Sequence, residues 1–190
     1  MEYIDGIYFK GLVFWEYMKE DNCSRISRIT RVFSLVVLGL VLFLFFVRLI
    51  LPSQVDDVSP FMNCSDEVLG LGDVYFVVPK FGGIDVSEDL AWCNYILDKD
   101  KELAMHGVSH EFGEFGIVRD KVYFGEGVEI FERCFGFAPV RFKPGQLKWN
   151  VKNDWIRDEV DVDFFWNQVF HKVYHCGDTG MFPNWVVKIF

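Results

Sequence analysis

The sequence predicts an α/β domain, with a mostly parallel sheet or a barrel-like closure, preceded by one membrane-spanning helix. An apolar run of about 20 residues ends at Pro52, the length a helix needs to cross roughly 30 Å of hydrocarbon. Beyond it, short apolar runs alternate with amphipathic stretches, the order expected of parallel α/β folds. Polar residues close several of the strand candidates, where ligands sit in such folds.

Residues 1–31 mix aromatics (Tyr3, Tyr8, Phe9, Phe14, Trp15, Tyr17) with five basic and five acidic residues. They suit an interfacial helix or a short cytoplasmic tail. Residues 32–51 form the anchor: from Val32 to Val47 only Ser34 and Gly39 interrupt the apolar side chains, and Arg48 lies where it can snorkel to headgroups. Arg25, Arg28 and Arg31 precede the span and Asp56 and Asp57 follow it, which predicts a cytoplasmic N-terminus and an extracytoplasmic domain over residues 53–190. No small-residue cleavage site follows a short apolar core, so the segment reads as an uncleaved signal anchor of a single-pass membrane protein.

That domain holds 13 basic and 23 acidic residues, net −10 against −9 for the whole chain. Such a field excludes recruitment by nucleic acid or anionic lipid and suits a neutral or cationic polymer. Cys23 falls on the reducing side, and Cys64, Cys93, Cys134 and Cys176 outside. Four external cysteines fit disulfides as well as buried thiols, and without a CxxC pair a zinc ribbon has no support.

Val74–Val78 reads as a buried strand stopped by Pro79 and Gly82-Gly83. Ser87 can cap a helix over Glu88–Leu97. Glu102–Met105 is a strand running into His106. Gly127–Phe135 has helical spacing and stops at Gly136. Pro139–Phe142 and Val169–Tyr174 are the remaining strand candidates.

Four polar sites close these elements. Asp56-Asp57 is a carboxylate pair that can divide cation binding from proton transfer, or simply a solvated turn. His106 and His110, in MHGVSH, suit a metal because Gly107 favours a turn bringing both rings to one point; the alternative is an incidental surface pair. Lys143-Pro144-Gly145 makes a rigid loop whose backbone N–H groups can stabilise an oxyanion, or a tight turn without chemistry. His175 closes the last strand, with His171 about 13 Å back along it.

The order and spacing of these sites resemble the polysaccharide deacetylase-like superfamily (carbohydrate esterase family 4 type), in a poorly characterised branch. The likeness is carried by VDDVSPF, MHGVSHEFGEF, the FKPG loop and FHKVYHCGDTGMFPNW, over roughly residues 53–190. It implies a short distorted (β/α) barrel-like fold. It further implies a divalent metal, zinc by preference, on Asp57, His106 and His110, with Asp56 as general base on the metal-activated water. His175 would be the general acid, and Lys143, Pro144 and Gly145 the oxyanion and substrate loop. The implied reaction removes an acyl group from an amide-linked sugar of a polysaccharide. The family's Arg-x-Pro-aromatic pattern is missing around Pro144, and its Asp-rich motif has only Asp161, Asp163 or Asp178 to stand for it. A non-catalytic glycan-binding or structural membrane protein that keeps the metal site is the alternative, and a tethered interaction module without metal a third. The metal readings require Asp57 within about 8 Å of His106.

Overall fold

The computed structural model describes residues 5–190, with side chains described from residue 28 onward. The aromatic and basic side chains read in residues 1–27, and Cys23, lie outside the described residues. The chain divides into two compact units, Met1–Phe46 and Val47–Phe190.

Helix α1 runs Asp5–Ile50. Within it Arg28–Ile50, 23 residues, is long and apolar enough to cross a membrane by length and composition. Its Phe33, Leu38 and Phe43 side chains are exposed.

The second unit is an α/β domain, as its alternating pattern predicts. Its strands are β1 (Gln54–Val58), β2 (Val74–Val77), a small hairpin β3 (Lys80–Phe81) and β4 (Ile84–Asp85), β5 (Glu102–His106), β6 (Arg141–Lys143), β7 (Asp161–Val162) and β8 (Val173–His175). Six form one parallel sheet in the order β7-β6-β5-β2-β1-β8. Its edge strands β7 and β8 do not pair with each other among the described residues.

Successive side chains of a strand point to opposite faces, and this sheet uses its faces differently. One face carries Val55, Tyr75, Val77, Leu103, Met105 and Phe142 into the main apolar core. The core also takes Ile96 and Cys93 from α3 (Leu90–Leu97) and Ile130, Phe131 and Cys134 from α4 (Lys121–Phe135). The alternate residues include Gln54, Asp56, Phe76, His106, Lys143 and His175. This face is ionic: Lys143 reaches Gln54 and Asp56 across it, with its ammonium 3.8 Å from the centre of the Phe76 ring.

Besides β6, which occupies Arg141–Lys143 where Pro139–Phe142 was expected, three boundaries differ from the sequence reading. The cap of α3 is Asp89, whose carboxylate accepts the Trp92 N–H at 2.9 Å; Ser87 lies in a single 3-10 turn just before it. Helix α4 starts six residues early, at the Asp120 cap, because Gly125 and Gly127 obscure its spacing. A Cβ on Gly127 would sit 2.8 Å from a Val108 methyl, so the glycine lets α4 lie close to the sheet. The third is the proposed strand over Val169–Tyr174. Its first two residues belong to helix α5 (Phe165–Phe170), and only Val173–His175 pairs with β1. The short α2 (Asp66–Leu69) and the terminal α6 (Asn184–Ile189) complete the unit. All four cysteines of this unit are paired, Cys64 with Cys176 and Cys93 with Cys134.

Candidate metal centre

Two adjacent carboxylates on a regular strand would point to opposite faces. Strand β1 avoids this with a bulge: the four residues Val55 to Val58 face only three of β2, Tyr75 to Val77. The extra residue is Asp57, whose φ of 62° lies in the left-handed region. Its carboxylate is thereby brought to the end of β5. Asp57 Oδ1 lies 3.3 Å from His106 Nε2 and 2.9 Å from His110 Nε2, well inside the distance the metal readings require.

Each imidazole is oriented by a separate device. His106 ends β5, and its Nδ1 lies 3.0 Å from the Lys143 carbonyl; donation there leaves the lone pair on Nε2. His110 comes back to the same point through a turn with positive φ at Gly107 (62°) and His110 (56°). Its ring lies against Gly145, where a Cβ would come within 3.2 Å of it. Asp57 Oδ2 accepts a hydrogen bond from Thr179 Oγ1 at 2.7 Å. One ligand atom from each of Asp57, His106 and His110 lies within 4.8 Å of the others. Burial pushes the Asp57 carboxyl up, and the two imidazoles more than reverse this, holding it well below the usual carboxylate range. Burial pushes the His110 ring down, and Asp57 beside it reverses that too.

Asp56 sits behind this group, facing the ionic side of the sheet. Its Oδ1 accepts from Lys143 Nζ at 2.7 Å and its Oδ2 from Gln168 Nε2 at 3.2 Å, while Gln54 Oε1 takes a second Lys143 bond at 2.6 Å. Burial alone would raise the Asp56 pKa; Lys143, then His106 and His175, outweigh it and keep the carboxylate ionised. Asp56 Oδ2 also lies 3.8 Å from His175 Nε2. The His175 backbone is gripped on both sides by the Asn184 amide, its N–H donating at 2.9 Å and its carbonyl accepting at 2.8 Å. Its ring is packed so closely on Gly180 that a Cβ there would collide with it. Burial lowers the His175 pKa against the opposing carboxylates.

The structure therefore brings Asp57, His106 and His110 together and sets Asp56 and His175 beside them, with Gly145 against His110. Lys143 departs from its expected place. It belongs to β6, not to the loop, and its fully buried ammonium is spent on Asp56 and Gln54, so it cannot touch a substrate. Pro144 and Gly145 are also buried. Several supporting residues escaped the sequence reading: Gln54, Gln168, Thr179 and Asn184. A glutamine opening an apolar strand was the one local sign of the first.

No protein-family model matches the sequence, and no curated protein matches it. Solved structures give partial overlaps. The Bc1960 peptidoglycan N-acetylglucosamine deacetylase is 14% identical, with a TM-score of 0.44 over 58% of this chain and 54% of that one. Peptidoglycan deacetylase PdaC from Bacillus subtilis is 17% identical, with a TM-score of 0.43 over 60% and 57%. BA3943 from Bacillus anthracis, a CE4 family pseudoenzyme, is 14% identical, with a TM-score of 0.45 over 65% and 53%. This chain spans little more than half the length of each.

The donor set is one carboxylate and two imidazoles, a combination that suits zinc and related divalent metals. Asp57 Oδ1 is buried and receives no hydrogen bond of its own, although two imidazole nitrogens face it. An anionic oxygen so placed fits a cation.

Proposed function

We propose that the chain is a membrane-anchored, divalent-metal-dependent hydrolase of the polysaccharide deacetylase type, which removes an acyl group from an amide-linked sugar outside the cytoplasmic membrane. The observation that carries this reading is the convergence of Asp57, His106 and His110 at the carboxyl ends of β1 and β5. Zinc or a similar cation would be held by these three and would supply Lewis-acid polarisation of a carbonyl and acidify water.

The other roles fall to residues of this chain. Asp56, kept ionised by Lys143, is the general base that takes a proton from the attacking water on Oδ2, the oxygen turned toward His175. His175, its Nε2 3.8 Å from that oxygen, is the general acid that protonates the leaving nitrogen. The Pro144-Gly145 turn, against His110, forms the wall beside the substrate carbonyl. Residues 32–51 anchor the chain in the bilayer, with residues 1–31 cytoplasmic and 53–190 outside. The basic residues before the span support this orientation, and so do two disulfides, which persist in oxidising compartments.

One observation favours a second reading, a glycan-binding or structural protein that retains the metal site. Asp56 is 1% exposed and locked to Lys143, as a purely structural ion pair would be. The test compares purified wild type with His106→Ala and Asp56→Asn for bound metal and for acetate released from an N-acetylated glycan. Hydrolysis requires metal in the wild type, its loss in His106→Ala, and an Asp56→Asn protein that keeps metal but releases no acetate. A metal-loaded wild type that releases none supports the second reading.

A further inference from the structure

Glu114 is buried to 1% and takes no part in the roles assigned above. Its carboxylate collects the backbone N–H groups of three successive residues. Oε1 accepts from Val108 and Ser109, each at 2.8 Å, and Oε2 from His110 at 3.1 Å. Oε1 also accepts from Tyr123 Oη at 2.6 Å and lies 3.3 Å from Ser109 Oγ. Three successive amide N–H groups converging on one acceptor form a nest. Tyr123 belongs to α4, so the carboxylate ties the turn to that helix.

The turn needs such a tie. Gly107 and His110 both occupy the left-handed region, which is strained for a residue with a side chain. A side chain at Gly107 would collide with Glu114 Oε2, so the glycine and the glutamate fit each other. His106 is held by β5 and by the Lys143 carbonyl. His110 lies on no strand; it is held by the turn, by Asp57, and by contact with Gly145 and the His106 ring.

We infer that Glu114 is a positioning residue of the metal centre, acting through the backbone of residues 107–110 to aim His110 Nε2 at the ligand point shared with Asp57 and His106. This rests on the metal-centre reading above. Outer partners of metal ligands typically set affinity by 10–100-fold, and without the carboxylate three buried donors lose their acceptor.

The experiment titrates the full chain in detergent with Co²⁺, reading both Kd and the visible d–d spectrum. Glu114→Gln keeps the size but turns an amide N–H₂ toward backbone donors. It is expected to weaken Co²⁺ binding about 10–100-fold and to shift the spectrum toward that of His110→Ala, with both disulfides and the far-UV circular dichroism unchanged. Glu114→Asp is expected to recover part of the affinity. Tyr123→Phe removes one donor and leaves the amide bonds in place; it decides the matter if Glu114→Gln does not fold, with an expected weakening of about 2–5-fold, below the full effect of losing an outer partner. Wild-type affinity and spectrum in a folded Glu114→Gln, or in Tyr123→Phe where that variant decides, overturn the positioning role and leave the metal reading intact. A wild type that binds no Co²⁺ overturns both.

Discussion

Lys143 and Asp56 are 0% and 1% exposed and 2.7 Å apart, and neither has water to fall back on. Removing one partner of such a pair leaves an uncompensated buried charge, typically worth 3–5 kcal/mol. Lys143→Met is therefore expected to destabilise the metal-free protein by about 3–5 kcal/mol at neutral pH. The pH dependence should change sign as well. In the wild type the Asp56 pKa is depressed, so its contribution is present above the unfolded value, about 3.9, and is lost as pH falls through the lower folded value. In Lys143→Met burial acts with its main opponent gone. The folded pKa then rises above the unfolded one, and the penalty shrinks on acidification from neutral pH. Urea denaturation at pH 7 and pH 5 checks this: the variant gains stability toward pH 5 while the wild type does not gain from Asp56. A variant with the wild-type slope would show that Asp56 carries no buried charge. The pair also marks what a linear reading misses. Asp57, His106 and His110 declare themselves by residue type and spacing, whereas Lys143 lies 87 positions from Asp56 and Gln168 112 from it. Next to Pro-Gly, a lysine looks like a loop residue until the sheet register places it opposite His106.

At the scale of elements, the strands were legible as apolar runs, but their alternation was not. In β1 the run QVDDV is buried throughout, so hydropathy gives no inside and outside, and the bulge at Asp57 breaks the period of two where it matters. The helices were readable where a cap and a stop enclosed them, as at Gly136, and failed where Gly125 and the buried Gly127 hid the spacing of α4. Cysteine count left pairing open because connectivity depends on which ends meet. One pair joins α3 to α4; the other joins the loop after β1 to the end of β8, directly after His175. The Cys64–Cys176 bond closes a chain segment with a sequence separation of 112, and the Cys93–Cys134 bond one of 41. Loop-closure entropy assigns them about 5 and about 4 kcal/mol, with measured disulfides more often giving about 2–4. The double variant Cys64→Ser/Cys176→Ser is expected to lose about 2–4 kcal/mol in urea unfolding. Its His175 should titrate more freely in NMR, because the segment behind the ring has lost its fastening. An unchanged midpoint would mean that the bond adds nothing to the fold.

At the scale of the molecule, chain chemistry divides at the long apolar segment. Residues 1–31 are electrically neutral, the span contributes Arg48, and residues 53–190 carry net −10. The apolar surface divides the same way: none of the side chains along Arg28–Ile50 is buried, an arrangement that water disfavours and hydrocarbon accepts. The cysteines turn this division into a measurement of topology. Four are paired in the second unit, so the one remaining thiol of the sequence is Cys23, which precedes the apolar segment. With the N-terminus in the cytoplasm, a membrane-impermeant maleimide added to intact cells is expected to leave the chain unlabelled, and a permeant one to label Cys23 alone. Adding reductant outside the cell should then open the second unit to the impermeant reagent without exposing Cys23. Labelling of Cys23 by the impermeant reagent in intact cells would reverse the orientation. It would also place both disulfides in a reducing compartment, where they do not persist, so the topology and the pairing stand or fall on one experiment.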